Sequence, residues 1–365
     1  MNLLQDFAQQ QIPDHFLTLP EEQLITIIQE AKAVLGEQLL LLAHHYQKDE
    51  IVQFADETGD SLQLAQSAAK NDQAEFIVFC GVHFMAETAD MLTTDEQKVI
   101  LPDLAAGCSM ADMASGRQLE LAWNTLQEHY PEEIIPITYI NSTAEVKAFV
   151  GQQGGAIVTS SNAESILRWA FKQKRRVFFL PDQHLGRNTA LKLGISQENI
   201  ALWDPFTQQS LTELTPETQV ILWNGWCSVH QQFTPKQIQT LRLQYPEIQV
   251  IVHPECPQEI VALSDYSGST NKILSVVKNA PRGSHWAIGT DYNLVNRMKN
   301  ELSDHPISFI NPIACPCLTM NRIRLPHLAW CLENLANGVI VNQICVDSDV
   351  TQASLKALNT MLQLS

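Results

Sequence analysis

Three places in this chain put cysteine on a short turn after an apolar run: Cys108 in Ala-Gly-Cys-Ser-Met-Ala-Asp, Cys227 in Trp-Asn-Gly-Trp-Cys-Ser-Val-His, and Cys315-Pro316-Cys317 before Leu-Thr-Met-Asn. Thiolate is the form of cysteine that binds metal, and three thiolates meeting at one point would suit a 4Fe-4S cluster that keeps one iron open. His44, Tyr46, His230, His253 and Glu255 supply an acid/base inventory. Histidine titrates near neutrality, and burial can raise a glutamate toward it. Ser61, Asn141, Ser160, Ser269 and Thr270 offer neutral polar groups, several beside expected helix starts, that suit carboxylate or phosphate oxygens.

The other cysteines read differently. Of the eight in the chain, none forms a Cys-x-x-Cys pair, which excludes zinc ribbons and thioredoxin-type sites; a metal bound by cysteine must be gathered from distant segments. Cys80 completes an apolar run, and Cys331 and Cys345 lie in apolar surroundings, so core packing is expected of all three. Cys256 follows Glu255 directly and is open to either role. The chain has neither a Walker A loop nor a Gly-x-Gly-x-x-Gly turn, so a nucleotide site has no support.

For these residues to act together, the fold must bring them to one place. Short apolar runs recur, each followed by turn residues and then a stretch rich in Ala, Leu, Gln and Glu, in the alternation of a parallel α/β sheet. Strands are predicted at 39–43, 76–79, 99–101, 134–140, 156–159, 177–180, 220–223, 250–252, 287–289 and 307–310. Ligands of open parallel sheets bind beyond the carboxyl ends of the strands, so the residues there matter most. One set of ends reads His44-His45-Tyr46, Tyr139-Ile140-Asn141 and His253-Pro254-Glu255. A second is Gly81-Val82-His83, Thr159-Ser160-Ser161-Asn162 and Ser267-Gly268-Ser269-Thr270, and a third is Leu101-Pro102-Asp103, Leu180-Pro181-Asp182 and Gly289-Thr290-Asp291. Recurrence at a period of about 100 residues predicts three homologous, Rossmann-like αβα domains around a pseudo-threefold axis, with the site at the centre. Their bounds are 1–107, 108–226 and 227–317, with the tail 318–365 packing on the first.

Composition narrows the function classes. Lys plus Arg number 23 against 40 Asp plus Glu, a formal charge of −17 without a basic block, which argues against nucleic acid as a partner. The N-terminus lacks a basic start followed by an apolar stretch, and no apolar run is long enough to span a bilayer, so a cytoplasmic protein without a membrane partner is expected.

The ordered set LLAHHYQ (41–47), GDSLQLA (59–65), AAGCSMADM (105–113), YINSTAEVKA (139–148), TSSNA (159–163), LPDQHLGRN (180–188), WNGWCSVH (223–230), HPEC (253–256), SGST (267–270) and CPCLTMN (315–321) resembles the quinolinate synthase family through most of the chain. The resemblance implies condensation of iminoaspartate with dihydroxyacetone phosphate to quinolinate in de novo NAD biosynthesis, releasing phosphate and water. It implies a partner that supplies the unstable imine by oxidising aspartate, and three αβα domains around an oxygen-sensitive 4Fe-4S cluster. Carried over by motif, Cys108 and Cys227 match two cluster ligands, and the third falls at Cys315 or Cys317. His44, Tyr46, Ser61, Tyr139, Asn141, Ser160, His230, His253, Glu255 and Thr270 match the family's active-site positions, with Ser161 an alternative to Ser160. Glu255 is the best candidate base, with Tyr46 and His230 as proton partners.

Overall fold

The computed structural model describes residues 12–313 and 316–364. In chain order the strands are β1 (Leu39–His44), β2 (Glu57–Gly59), β3 (Phe76–Cys80), β4 (Lys98–Ile100), β5 (Ile134–Tyr139), β6 (Ala156–Val158), β7 (Arg176–Leu180), β8 (Ile200–Asp204), β9 (Gln209–Ser210), β10 (Val220–Trp223), β11 (Gln249–Val252), β12 (Tyr266–Ser267), β13 (Trp286–Gly289), β14 (Ile307–Phe309) and β15 (Gln343–Ile344). They form three sheets, ordered β2-β1-β3-β4-β15, β6-β5-β7-β10-β8-β9 and β12-β11-β13-β14. The run β2-β1-β3-β4 is parallel throughout, and so are β6-β5-β7-β10 and β12-β11-β13-β14. The same order therefore recurs once in each sheet. Antiparallel pairing occurs where β15 joins β4 and β9 joins β8.

The chain is thus α/β with predominantly parallel sheets. Helices joining parallel strands cover both faces of a sheet, so the strands read as continuous apolar runs, as β1 (Leu-Leu-Leu-Leu-Ala-His) and β7 do. All ten predicted strands form, each within one residue of its expected ends. The five not predicted are β2, β8, β9, β12 and β15, and four of these have only two or three residues, too few to show a period. β8 carries an apolar Ile-Ala-Leu-Trp run, but so short a run fits a buried helix equally well.

Two compact units result. One joins the described residues up to Cys108 with Leu318–Val346, and contains the first sheet; the other joins Ser109–Cys317 with the described residues from Asp347, and contains the second and third. In the first unit, helix Glu21–Leu35 packs on helix Leu325–Ala336, and β15 extends the sheet. Gln47, fully buried just beyond β1, donates from Nε2 to Met320 O at 2.9 Å, tying the end of that strand to the segment after Cys317.

The tail does not stay on the first unit as expected. Its final helix, Ser348–Gln363, lies against helix Ala144–Gln152 of the second unit, where Ser354 Oγ donates to Ala144 O at 3.2 Å. Small residues make this possible: a Cβ built on Gly151 would stand 1.9 Å from Ala353 O. Among the described residues no helix is long and apolar enough to cross a membrane.

Because Gly151 has no room for a methyl group, Gly151→Ala should push these helices apart and cost about 1–3 kcal/mol, the usual scale of overpacking. Thermal unfolding checks it: an unchanged Tm would mean that the contact is loose.

Candidate active site

In the second unit the carboxyl ends of the parallel strands carry most of the predicted residues. β5 ends at Tyr139, followed by Asn141; β6 is followed by Ser160; β10 leads to Cys227 and His230; β11 leads to His253 and Glu255. Thr270 opens helix Thr270–Lys278, whose cap Ser269 accepts from Lys272 N. That helix start carries the positive end of the helix dipole. Ser160 and Ser161 line a cleft of about 480 Å³ with Asn188, Lys192, Ser267 and Gly268.

The closest cluster is His230, His253 and Glu255, each at most 3% exposed. His230 Nδ1 stands 2.8 Å from Glu255 Oε2, and His253 Nδ1 stands 3.9 Å from the same oxygen. The two imidazoles stack, with centroids 4.6 Å apart and planes 21° from parallel. On its far side, His230 Nε2 meets Thr290 Oγ1 at 3.3 Å. Glu255 N donates to His253 Nδ1 at 3.4 Å, which makes that nitrogen an acceptor.

Electrostatics here correct one expectation. Burial does favour a protonated Glu255, but the two histidines, together with hydrogen bonds from His230 and Tyr139, outweigh it and hold the carboxyl down at about 2. Glu255 is therefore a carboxylate at neutral pH and is not raised toward neutrality. Desolvation wins instead at His253, whose pKa it depresses to about 3 against the pull of Glu255.

Two further buried acids stand at strand ends, in Leu-Pro-Asp and Gly-Thr-Asp, where the sequence marks them only as turn residues. Asp182 is fully buried and caps helix Gln183–Lys192, with Leu185 N donating to Oδ1 at 2.6 Å. Burial and the charge of Glu255 push its pKa well up, against the amides of Leu185, His184 and Cys227. Asp291 caps helix Tyr292–Glu301, and its Oδ2 accepts from Cys317 N at 2.8 Å. Burial raises it to about 6. The available signal was Leu-Pro-Asp and Gly-Thr-Asp at strand ends, a cap position that doubles as a buried acid. Asn141 Oδ1 and Asp182 Oδ2 are buried and find no hydrogen-bond partner among the described residues.

His44, Tyr46, Ser61 and Cys108 belong to the first unit. His44 ends β1, and Tyr46 N donates to its Nδ1 at 3.1 Å, repeating the contact of Glu255 N with His253. The Tyr46 ring meets His44 edge-on at 4.7 Å. Ser61 starts helix Ser61–Lys70, which Asp60 caps by accepting from Leu62 N and Gln63 N. Cys108 lies on an irregular turn, as its sequence suggests. Asp103 Oδ1 accepts from Ala105 N at 2.9 Å within that turn, and the next element is the short 3-10 segment Ala111–Met113.

The cysteines separate by environment. Cys108, Cys227 and Cys317 are half-buried on turns, whereas Cys80, Cys256 and Cys331 are fully buried. Burial pushes the Cys80 thiol up to about 12 and raises those of Cys256 and Cys331, which disfavours the thiolate a metal needs. Cys345, expected in the core, is exposed, because it follows Ile344 on the two-residue edge strand β15 and the side chains there alternate. Cys315 lies outside the described residues. Cys227, His230 and Glu255 present sulfur, nitrogen and oxygen within 4.8 Å of one another.

The model of a family described as Quinolinate synthetase A protein matches residues 26–363. The quinolinate synthase of Listeria monocytogenes is 56% identical over 366 residues, covering all of both chains. That of Geobacillus kaustophilus is 55% identical over 368 residues, again covering both fully. That of Bacillus cereus is 56% identical over 353 residues, or 96% of each chain.

With its pKa depressed to about 3, His253 should stay neutral from pH 8 down to about pH 4. The unfolded chain would bind that proton near pH 6.5, so this group favours folding above pH 6.5 and the benefit is lost as pH falls toward 3. Ring NMR of metal-free protein checks the first point, and a midpoint near 6.5 for His253 would contradict it.

Proposed function

We infer the activity from a premise: this chain belongs to the quinolinate synthetase A protein family. We read it as catalysing the condensation of iminoaspartate with dihydroxyacetone phosphate to quinolinate, with loss of phosphate and water, as a step of NAD biosynthesis. The observation that carries the reading is the buried carboxylate of Glu255 held between His230 and His253 at the strand ends. The recurrence of one strand order in all three sheets supports the division into related αβα units at 1–107, 108–226 and 227–317.

Both substrates are anionic, and the chain carries a net −17. Salt screens distant surface charge beyond about 8 Å, so local groups decide. The start of helix Thr270–Lys278, Thr270 itself, Ser160 and the unpartnered Asn141 Oδ1 supply neutral and positive ends for phosphate, hydroxyl and carboxylate groups. The family resemblance counts His44, Tyr46 and Ser61 among the substrate contacts as well. Glu255 stays ionised, fixes the orientation of His230 across 2.8 Å, and stabilises its imidazolium when His230 takes a proton during tautomerisation and ring closure. Tyr139, hydrogen-bonded to Glu255, completes this relay.

The resemblance also implies a 4Fe-4S cluster, and the half-buried cysteines fit its donor set better than the buried ones do. Cys108, Cys227 and Cys317 would hold it, with Cys315 the alternative to Cys317. When bound, the cluster supplies a Lewis acid through its open iron.

Anaerobically purified protein should carry about four iron per chain, and stoichiometric zinc without iron would refute the cluster. Cys108→Ala or Cys227→Ala should abolish iron binding in a folded chain, whereas Cys331→Ala should leave it alone. Glu255→Gln keeps size but not charge, and turnover should fall by roughly 10²-fold or more with iron content intact. Quinolinate and phosphate measured together test the reaction, since a hydro-lyase acting on another polycarboxylate would release no phosphate.

A further inference from the structure

The motif Leu-Pro-Asp-Gln-His-Leu-Gly-Arg-Asn at 180–188 has no part in the chemistry above, yet its residues reach two loops that do. Gln183 N donates to Gly225 O at 2.9 Å and Gln183 Nε2 to Asn224 Oδ1 at 2.7 Å, holding the loop that leads to Cys227. His184 contacts Gln231, next to His230. Gly186 lets the helix sit tight on the sheet, because a Cβ there would come within 2.6 Å of Leu222 and 2.7 Å of Phe179. Two residues on, Asn188 Nδ2 donates to Pro254 O at 2.9 Å and to Cys256 O at 2.9 Å. These two carbonyls flank Glu255.

We propose that Asn188 is a positioning residue for Glu255: its amide clamps the main chain on both sides of that residue and so aims the carboxylate at His230. Both N–H groups of one amide are spent on carbonyls one residue either side of the acid. Glu255 N donates to His253 Nδ1 at 3.4 Å and Cys256 N to His253 O at 3.0 Å, closing the turn, and His253 N donates to Gly289 O at 2.9 Å, but none of these bonds ties the turn to the neighbouring helix. Asn188 does so, from an element that Gly186 keeps close to β7 and β10. The role rests on the reading of His230 and Glu255 as the proton-transfer pair, and a displacement of that pair by about 1 Å can cost 10²-fold in rate.

The test compares Asn188→Ala with Asn188→Ser, which keeps one donor, in iron-loaded enzyme and per mole of cluster. Asn188→Ala should lower kcat by about 10- to 100-fold with KM within about 3-fold, and Asn188→Ser should fall between it and the wild type. In a Glu255→Gln background, Asn188→Ala should add less than about 3-fold, since a residue acting through Glu255 has nothing left to position. A kcat within about 3-fold of wild type for Asn188→Ala, or a full additive loss in the Glu255→Gln background, overturns the proposal. If Asn188→Ala fails to fold or to take up iron, Asn188→Ser carries the same two comparisons. A wild-type enzyme that makes no quinolinate removes the activity reading instead, and the clamp is then judged by the crystal structure of the Asn188 variant. Separation of Glu255 and His230 beyond about 3.5 Å supports the clamp, and retention of their 2.8 Å contact overturns it.

Discussion

A carboxylate buried beside two imidazoles is the constraint on which the second unit depends. Isolated, Glu255 would be expelled from the interior or protonated there, because a charge out of water is costly unless paired and hydrogen-bonded. His230 at 2.8 Å, the stacked His253 and the Tyr139 hydroxyl make it tolerable. Each comes from the carboxyl end of a different strand, β10, β11 or β5, so both sheets of this unit must be in place before the charge can be buried. The surrounding groups adjust to that charge: burial and the Glu255 carboxylate push the Asp182 pKa well up, and desolvation depresses that of His253.

A second regularity is local. The motifs His-x-Tyr after β1 and His-x-Glu after β11 both fold so that the backbone N–H two residues on donates to the imidazole Nδ1. This bond leaves Nε2 to carry the proton of the neutral ring, which fixes the tautomer and the direction in which the ring can donate. The same backbone device thus serves both units, as does the recurring strand order.

How much of this the sequence discloses depends on the range of the interaction. Strands buried on both faces announce themselves as apolar runs, so ten of the strands and the polar residues beyond them are legible directly. Strands of two residues, such as β12 and β15, exist only through their neighbours and carry no signal, which is also why Cys345 was misplaced in the core. The pKa of Glu255 ran opposite to expectation because burial alone was visible in the sequence, while the histidines that outweigh it come from two different loops. Asn188 and Asp182 stayed unassigned for a related reason: their partners lie 66 and 68 residues away for Asn188, and around Cys227 for Asp182.

The division of the last 48 residues between units bears on how the chain reaches its native state. The first unit is completed by Leu318–Val346 and the second by the helix Ser348–Gln363. During synthesis the first sheet therefore waits for β15 and for the helix Leu325–Ala336, with Ile100, Leu328 and Leu332 unable to find their buried places until Ile344 has been made. The surface of helix Ala144–Gln152 around Gly151 waits longer still. Neither unit can close before these segments are made, so the nascent chain must keep two incomplete cores from aggregating until the helix Ser348–Gln363 emerges.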